Sequence, residues 1–131
     1  MSDFVVGTRL PEKNIRVARA QVPAYAEASG DNNPIHLDET AARSAGLPGV
    51  IAHGMISMGL LGNLAAEWAG AADRVRLVRC RFAGILMPED TLTFRGEVQA
   101  VEGKLVRVAV SAVNQRGEDV LTRGLVEFAQ L

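Results

Sequence analysis

Hydrophobic and polar residues alternate along the second half of the chain. The segment "TLTFRGEVQAV" places Leu92, Phe94, Gly96 and Val98 on one side, and a period of two residues is typical of a β-strand with one buried face. Similar segments, "VRVAVSAVNQ" and "VLTRGLVEFAQ", follow the turn-forming sequences "EGKL" and "QRGED". The pattern predicts an antiparallel meander of strands.

An earlier strand, "RVRLVRCRF", changes phase midway. Val75 and Leu77 share one face, whereas Cys80 and Phe82 share the other. One extra residue in a strand produces a shift of this kind, so we expect a β-bulge near Val78.

Hydrophobic residues occupy nearly every direction around a helix predicted over residues 54–70. Ser57, Asn63 and Glu67 are its plainly polar side chains, and they do not form one solvent-facing side. Because a helix that is apolar all round is a buried helix, the sequence predicts one long central helix inside the protein.

The N-terminal third contains shorter elements. Residues 15–20 predict a weak strand, and a short helix follows around Pro23 and ends at Gly30. A second short helix begins after Asp38, which can cap it, and ends at Gly46. Short helices, one buried helix and then a meander indicate an α+β fold in which a curved antiparallel sheet wraps around a single helix.

Such a sheet has two edges, and exposed edges pair readily with other strands. One helix covers only one face of a sheet of five or six strands. The simplest arrangement that also covers an edge is a dimer whose two sheets join edge to edge.

The composition is that of an ordinary globular protein. The 131 residues suit one domain over residues 1–131. The formal net charge of −1 favours neither nucleic acid nor an anionic membrane as a partner. Cys80 is the only cysteine, which excludes an internal disulfide and fits a cytoplasmic setting. The N-terminus lacks the pattern of a signal peptide, and no apolar segment is long enough to span a bilayer.

The segment "DNNPIH" concentrates polar groups that the rest of the chain spreads out. Asp31 supplies a base, and a histidine such as His36 can accept or donate a proton near neutral pH. Pro34 restricts the backbone and biases Asn33 towards an extended conformation. The segment is therefore a rigid bend in which the two side chains can converge, and Asn32 and Asn33 can brace it by hydrogen bonds.

Gly54 is predicted to begin the central helix, where N–H groups lack helical partners and the helix dipole is positive. An oxyanion that develops there would be stabilised. An acid–base pair beside a backbone oxyanion site indicates proton chemistry next to a carbonyl, with no covalent nucleophile required.

Less specific interpretations compete with this one. The sequence "DNNP" is also a common turn composition, Asp38 and Glu39 are typical capping residues, and His53 fits a structural residue before the helix better than a catalyst. Ser57 has no neighbouring base in the sequence. Two histidines and scattered carboxylates show no metal-ligand spacing, and no P-loop or dinucleotide fingerprint is present. No metal site and no cofactor are therefore predicted.

The run "YAEASGDNNPIHLDETAARSAGLPGVIAHGM" resembles the hydratase-2 motif of the MaoC-like hot-dog family. In that motif D-x-N-P-[LIV]-H is followed at a similar distance by A-H-G-M. The resemblance continues through the "RCRF" and "GEV" strands and so covers most of the chain. It is especially similar to (R)-specific enoyl-CoA hydratases and to the catalytic subunits of bacterial (3R)-hydroxyacyl-ACP dehydratases.

The resemblance implies reversible hydration of 2-enoyl thioesters of CoA or ACP to (R)-3-hydroxyacyl thioesters. It implies Asp31 and His36 as the catalytic pair, Asn33 as a supporting residue and the Gly54 N–H as the oxyanion donor. The family fold is a long helix in a curved sheet that dimerises into one continuous sheet, so the implied partner is a second copy or a second hot-dog subunit. Several hydratases carry a serine where this chain has Gly59, a difference that concerns the acyl pocket.

Three other functions belong to related classes. A non-catalytic hot-dog subunit that shapes a partner's acyl pocket would lack the Asp or the His, and both are present. A hot-dog thioesterase would need an acid on the central helix, and Glu67 lies about 20 Å from Gly54 at helical rise. An acyl-CoA-sensing transcription factor would need a DNA-binding extension that the roughly 20 residues before the first helix cannot hold. A hydratase or dehydratase is favoured, with the inactive subunit as the alternative.

Overall fold

The computed structural model describes residues 4–130. The N-terminal elements are β1 (Lys13–Arg16), α1 (Gln21–Ser29), a 3₁₀ turn (Pro34–His36) and α2 (Glu39–Ser44). The remaining elements are α3 (Gly54–Ala69), a second 3₁₀ turn (Ala72–Arg74), β2 (Val75–Phe82), β3 (Thr91–Glu102), β4 (Leu105–Val113) and β5 (Asp119–Ala129). Residues 1–3 and 131 of the expected domain lie outside the described residues.

The strands form one antiparallel sheet in the order β1-β3-β4-β5-β2. Consecutive pairing of β3, β4 and β5 confirms the predicted meander. The turns between them contain Gly103 and Gly117 with φ of 62° and 79°, a left-handed conformation that glycine adopts without strain. The strands β1 and β2 form the two edges of the sheet.

The helix α3 packs against the sheet, so the expected sheet and central helix are both present. Leu61, Leu64 and Ala65 of the helix are buried in one core with residues of every neighbouring strand. Trp68 lies so close to Gly96 of β3 that a Cβ on this glycine would come within 2.9 Å of its ring. The glycine in the alternating strand therefore allows the helix and the sheet to approach closely.

The opposite side of α3 is open in the single chain. Met55, Gly59, Asn63 and Glu67 follow one another at a spacing of four residues and are all exposed. The expectation of burial on every side therefore does not hold for this row, because side chains four apart lie on one face of a helix. Met55, which is 50% exposed, places an apolar side chain at the start of this row.

The first strand differs from the prediction for residues 15–20. It covers Lys13–Arg16 and pairs with β3 over four residues. The Val17 N–H still bonds the carbonyl of Asp90 at 2.8 Å. The chain then turns into α1, because the Ala18 N–H bonds the Gln21 side chain at 2.6 Å.

The strand β2 is irregular in two places and not one. Its pairing with β5 shifts between Val75 and Leu77 and again between Arg79 and Arg81. The bulge predicted near Val78 is thus split into shifts on either side of that residue. Within residues 4–130, none of the helices combines the length and apolar character that a membrane crossing requires.

Candidate active site

The bend after α1 is built from side-chain caps. Gly30 ends α1 in the left-handed conformation, and the Asp31 carboxylate then accepts a hydrogen bond from the Asn33 N–H at 3.3 Å. The Asn33 side chain accepts in turn from the Ile35 N–H at 3.2 Å and caps the 3₁₀ turn that begins at Pro34. Asn33, with φ of −55° and ψ of 127°, avoids the α region that a following proline disfavours. The segment thus forms a bend, and its rigidity stays a prediction.

His36 ends this turn with a buried side chain. Its Nδ1 lies 2.7 Å from the carbonyl oxygen of Ile51. Because a carbonyl only accepts, Nδ1 carries the hydrogen and Nε2 is left as the acceptor. This is the tautomer that a general base needs if Nε2 faces the substrate.

A pocket of about 240 Å³ opens beside His36. Apolar side chains form most of its wall, among them Val22, Leu37 and Val50. A larger pocket of about 630 Å³ contains none of the predicted site residues and is lined by residues such as Arg9 and Arg95. Of the predicted site residues, His36 lines the smaller pocket, whereas Asp31 and Gly54 are not part of its wall.

His53 joins the site although its sequence context suggested only a structural residue. It is 2% exposed, and its Nε2 donates to the main-chain carbonyl of Asp31 at 3.0 Å. Its ring stacks on that of His36, with centroids 3.7 Å apart and a tilt of 23°. The Tyr25 ring also contacts His53, with ring centroids 4.8 Å apart. The signals for it in the sequence are its place directly before Gly54 and its part in the A-H-G-M segment of the motif.

Side chains distant in sequence converge here. A carboxylate oxygen of Asp31 and a ring nitrogen from each of His36 and His53 all lie within 4.8 Å of one another. Two hydrogen bonds of about 2.8 Å from one oxygen atom can reach atoms up to about 5.5 Å apart. This separation allows one water molecule to bridge the Asp31 carboxylate and His36 if the nitrogen concerned is Nε2, since Nδ1 bonds Ile51.

The same cluster is a poor metal site. Two imidazoles bound to one tetrahedral ion approach it from directions about 109° apart. Face-to-face rings would then be steeply inclined, whereas the rings of His36 and His53 are nearly parallel. A carbonyl oxygen bonded to one nitrogen of each ring is compatible with a metal on the other nitrogen, so the near-parallel rings alone are the reason that we assign no metal to these residues.

Gly54 is the first residue of α3, next to His53. It is exposed, and within residues 4–130 no backbone acceptor bonds its N–H, whereas the Ile56 N–H bonds the His53 carbonyl. Phe82, at the end of β2, covers one side, since a Cβ on Gly54 would lie 3.2 Å from its ring. The start of the helix therefore offers a free N–H beside an aromatic wall.

The fold and the motif have close counterparts among known proteins. Residues 4–118 match the family described as MaoC like domain. The chain belongs to this family. Its relatives include proteins named 3-hydroxyacyl-thioester dehydratase X and R-hydratase PhaJ1, so hydro-lyase activity on thioesters is supported at the level of the family.

Relatives of this MaoC-like domain include large and small proteins. It is 34% identical over 116 residues to the fatty acid synthase beta subunit hexB of Dothistroma septosporum. The aligned part is 86% of this chain and 6% of that protein. It is 29% identical to the 3-oxo-4,17-pregnadiene-20-carboxyl-CoA hydratase beta subunit of Mycobacterium tuberculosis, over 88% of the chain and 90% of that subunit. The chain thus spans only a small part of the fungal beta subunits that it matches.

A solved structure supports the hot-dog fold. The R-hydratase PhaJ1 of Pseudomonas aeruginosa aligns with a TM-score of 0.82 and 30% identity, over 97% of this chain and 83% of that one. The fold expected from the sequence resemblance, a curved antiparallel sheet with a long helix, is confirmed by such neighbours.

Two polar residues of the MaoC-like domain stay outside the cluster. The Ser57 hydroxyl donates to the Gly54 carbonyl at 2.6 Å, inside its own helix. Glu67 lies near the other end of α3, 3.8 Å from the Lys13 ammonium. The structure gives neither residue a place beside Asp31 and His36.

Proposed function

We propose that this MaoC-like domain catalyses the reversible hydration of trans-2-enoyl thioesters to (R)-3-hydroxyacyl thioesters. The observation that carries the proposal is the convergence of the Asp31 carboxylate and a His36 ring nitrogen within 4.8 Å. Similarity to proteins named as a CoA hydratase subunit and an R-hydratase supports this reaction class.

Gly54 is the oxyanion donor in this proposal. The thioester carbonyl oxygen accepts from its N–H at the start of α3, where the helix dipole is positive. Attack of water at C3 moves the double-bond electrons towards the carbonyl, and the enolate charge that builds up on oxygen is stabilised there. Removal of one such donor typically lowers kcat about 10²- to 10³-fold.

Asp31 and His36 move the protons. Water held between them loses one proton to the pair as its oxygen bonds C3, and the pair delivers one proton to C2 as the enolate collapses back to the thioester. Atoms balance, since one water adds across one double bond and no redox change occurs. Dehydration follows the same path in reverse, and Asn33 supports the pair by holding the bend.

The substrate carrier in this proposal is CoA or ACP, because both present the acyl group as a thioester. The partner is a second hot-dog protomer, identical or different, joined along the edge strand β2. Phe82 and Ile85, at and just after the end of β2, are 47% and 46% exposed. Similarity to a protein named as a beta subunit supports a partner of this kind.

Crotonyl-CoA and the purified chain provide the test. Hydration removes the enoyl absorbance, and Asp31→Asn and His36→Ala should each lower kcat by at least about 10², the lower range for acid–base groups. Asp73→Asn is the matched control, because Asp73 is exposed and lies in a different turn. Wild-type turnover in either site variant would contradict the proposal.

The stereochemical outcome is a further part of the test. An (S)-specific 3-hydroxyacyl-CoA dehydrogenase coupled to the reaction should form no NADH, and an (R)-specific enzyme should form it. A strong signal with the (S)-specific enzyme would exclude the proposed product.

An inactive wild-type chain that gains activity with a second hot-dog subunit would support the alternative of a heteromeric enzyme.

A further inference from the structure

His53 makes three contacts that the proposed mechanism does not use. It donates to the Asp31 carbonyl, stacks on His36 and is bonded through its peptide to Gly54. His53 thus contacts or directly adjoins all three residues of the proposed site, Asp31, His36 and Gly54. Its side chain is almost fully buried, so these contacts are fixed by packing.

We infer that His53 is a positioning residue that sets the relative places of Asp31, His36 and Gly54. The inference rests on the proposed function, because it concerns the geometry of that site. His53 transfers no proton in the proposed mechanism and acts through the neighbours that it contacts.

The hydrogen bond from His53 holds the segment that carries Asp31. Asp31 is exposed, and its other hydrogen bonds are local. Its N–H donates to the Ser29 hydroxyl at 3.1 Å, and its carboxylate accepts from the Asn33 N–H at 3.3 Å. These contacts shape the bend but do not tie it to the central helix. Two bonds join Ile35 and His36 to Ile51, before the helix. The bond from His53 Nε2 spans 22 residues in sequence and adds a connection at Asp31 itself.

The stacked ring orients the His36 imidazole. The bond from His36 Nδ1 to Ile51 fixes one atom of that ring but leaves rotation about this bond. A flat surface at 3.7 Å removes that freedom, so Nε2 keeps one direction. Misplacement by about 1 Å can lower a rate about 10²-fold, so a residue that sets this geometry should be visible in kcat.

The buried Nδ1 atom of His53 argues against a role in packing alone. Nε2 must carry the hydrogen because its partner is a carbonyl. Nδ1 is buried and finds no hydrogen-bond partner within residues 4–130. Buried polar atoms without partners are rare in folded proteins, so a residue kept for packing alone would more commonly be apolar at this position.

Three substitutions separate the two contacts. His53→Gln keeps an N–H donor and removes the ring, His53→Phe keeps the ring and removes the donor, and His53→Ala removes both. We expect kcat on crotonyl-CoA to fall at least about tenfold in the first two and further in His53→Ala, up to about 10²-fold. KM should change less than threefold, since His53 does not bind the thioester.

A core substitution controls for stability. Val106 is fully buried in β4, near the β3–β4 turn, so Val106→Ala should lower Tm with kcat per folded molecule unchanged. Activities are divided by the folded fraction from circular dichroism, and if one His53 variant is insoluble the other two decide. A kcat that simply follows Tm through all four variants would show a purely structural role and overturn the inference.

Asp31→Asn, measured in parallel, separates this inference from the proposed function. If Asp31→Asn is inactive while all His53 variants keep wild-type kcat, only the inference on His53 is wrong. If Asp31→Asn keeps full activity, the proposed function is wrong and the inference with it. A rise in KM at unchanged kcat would place His53 in substrate binding and would also overturn the positioning role.

Discussion

At the scale of single residues, the structure shows the turn interpretation of "DNNP" and is compatible with the proposed functional one. The Asp31 carboxylate makes the side-chain turn that its composition predicts, through one oxygen and the Asn33 N–H. A carboxylate accepts at two oxygens, so the second oxygen remains for a water molecule. A turn residue can in this way also serve as a base, and composition alone could not have separated the two roles.

The residue-scale prediction concerns Gly54→Val. The sequence analysis suggested crowding or backbone strain at this position, and the structure favours crowding, since a Cβ would press on the Phe82 ring at 3.2 Å while φ is not positive. The added side chain should displace Phe82 and narrow the space beside the Gly54 N–H. We expect kcat/KM on crotonyl-CoA to fall about 10²-fold, comparable to the loss of one oxyanion donor, in steady-state kinetics.

Gly62→Val is the matched control on the same helix. A Cβ at Gly62 would have no neighbour within 4 Å, so the same substitution there should leave kcat/KM on this short substrate within about threefold. Equal kinetics in the two variants would remove Gly54 from the mechanism.

His53 marks the limit of what local sequence can reveal at this scale. Its position before the helix was visible, but its stacking on His36 joins residues 17 apart across a loop. Periodicity and capping rules describe near neighbours along the chain. The contact depends on how the bend docks on the helix, which only the tertiary structure contains.

At the scale of elements, the strands with a clear period of two were predictable and the first strand was not. β3, β4 and β5 pair with their neighbours in sequence, so the alternation and two turns suffice to predict them. The short strand β1 pairs with β3, nearly 80 residues away, and its bounds depend on that partner. Likewise, the hydropathy of α3 predicted burial but could not indicate which row stays open for a partner.

A buried carboxylate joins the loop before β3 to the β4–β5 turn at one end of the sheet. Asp90, just before β3, accepts from the Met87 N–H at 3.0 Å and from the Gln115 amide at 2.9 Å. The Arg116 guanidinium in the β4–β5 turn lies 3.2 and 3.3 Å from its two oxygens. Burial opposes ionisation, but these hydrogen bonds outweigh it, so the pKa of the Asp90 carboxyl lies below its ordinary value.

The element-scale prediction concerns this network. Asp90→Asn should lower the free energy of unfolding in urea by about 1–3 kcal/mol at pH 7, as for lost hydrogen bonds to a buried charged group. A lowered folded-state pKa stabilises the protein above the unfolded-state value of about 3.9, and this contribution is lost as pH falls through the folded-state pKa. The difference between wild type and variant should therefore be constant from about pH 7 to 5 and shrink below about pH 4.

The exposed pair between Arg9 and Glu97, 3.7 Å apart, provides the control. Glu97→Gln should change the free energy of unfolding by less than about 1 kcal/mol, because solvent screens such pairs. A loss in Asp90→Asn that stays the same from pH 7 to 3 would argue against the charged network as its source.

At the scale of the whole molecule, the open surfaces lie near one another. The edge strand β2 ends at Phe82, which touches Gly54, and the exposed row of α3 begins at Met55. A protomer that paired with β2 would extend the sheet and could cover these apolar side chains. The candidate site would then lie beside the interface, which relates assembly to activity.

The whole-molecule prediction is that two protomers pair along β2 and leave β1 as the free edge. In an edge strand only about half of the amides face the neighbouring strand, so the others exchange rapidly with solvent. We expect residue-resolved hydrogen exchange to show slow amides throughout β2 (Val75–Phe82) and alternating slow and fast amides in β1 (Lys13–Arg16). Light scattering on the same sample should give twice the mass of the 14.0 kDa chain, and Gly54→Val should remain dimeric because the joining edge is a strand.

Alternating protection in β2 within a dimer would place the interface elsewhere, and a monomeric, fully active wild type would refute the edge-to-edge arrangement. An inactive monomer would instead indicate a heteromeric enzyme, and added second subunit should then restore both activity and continuous protection of β2.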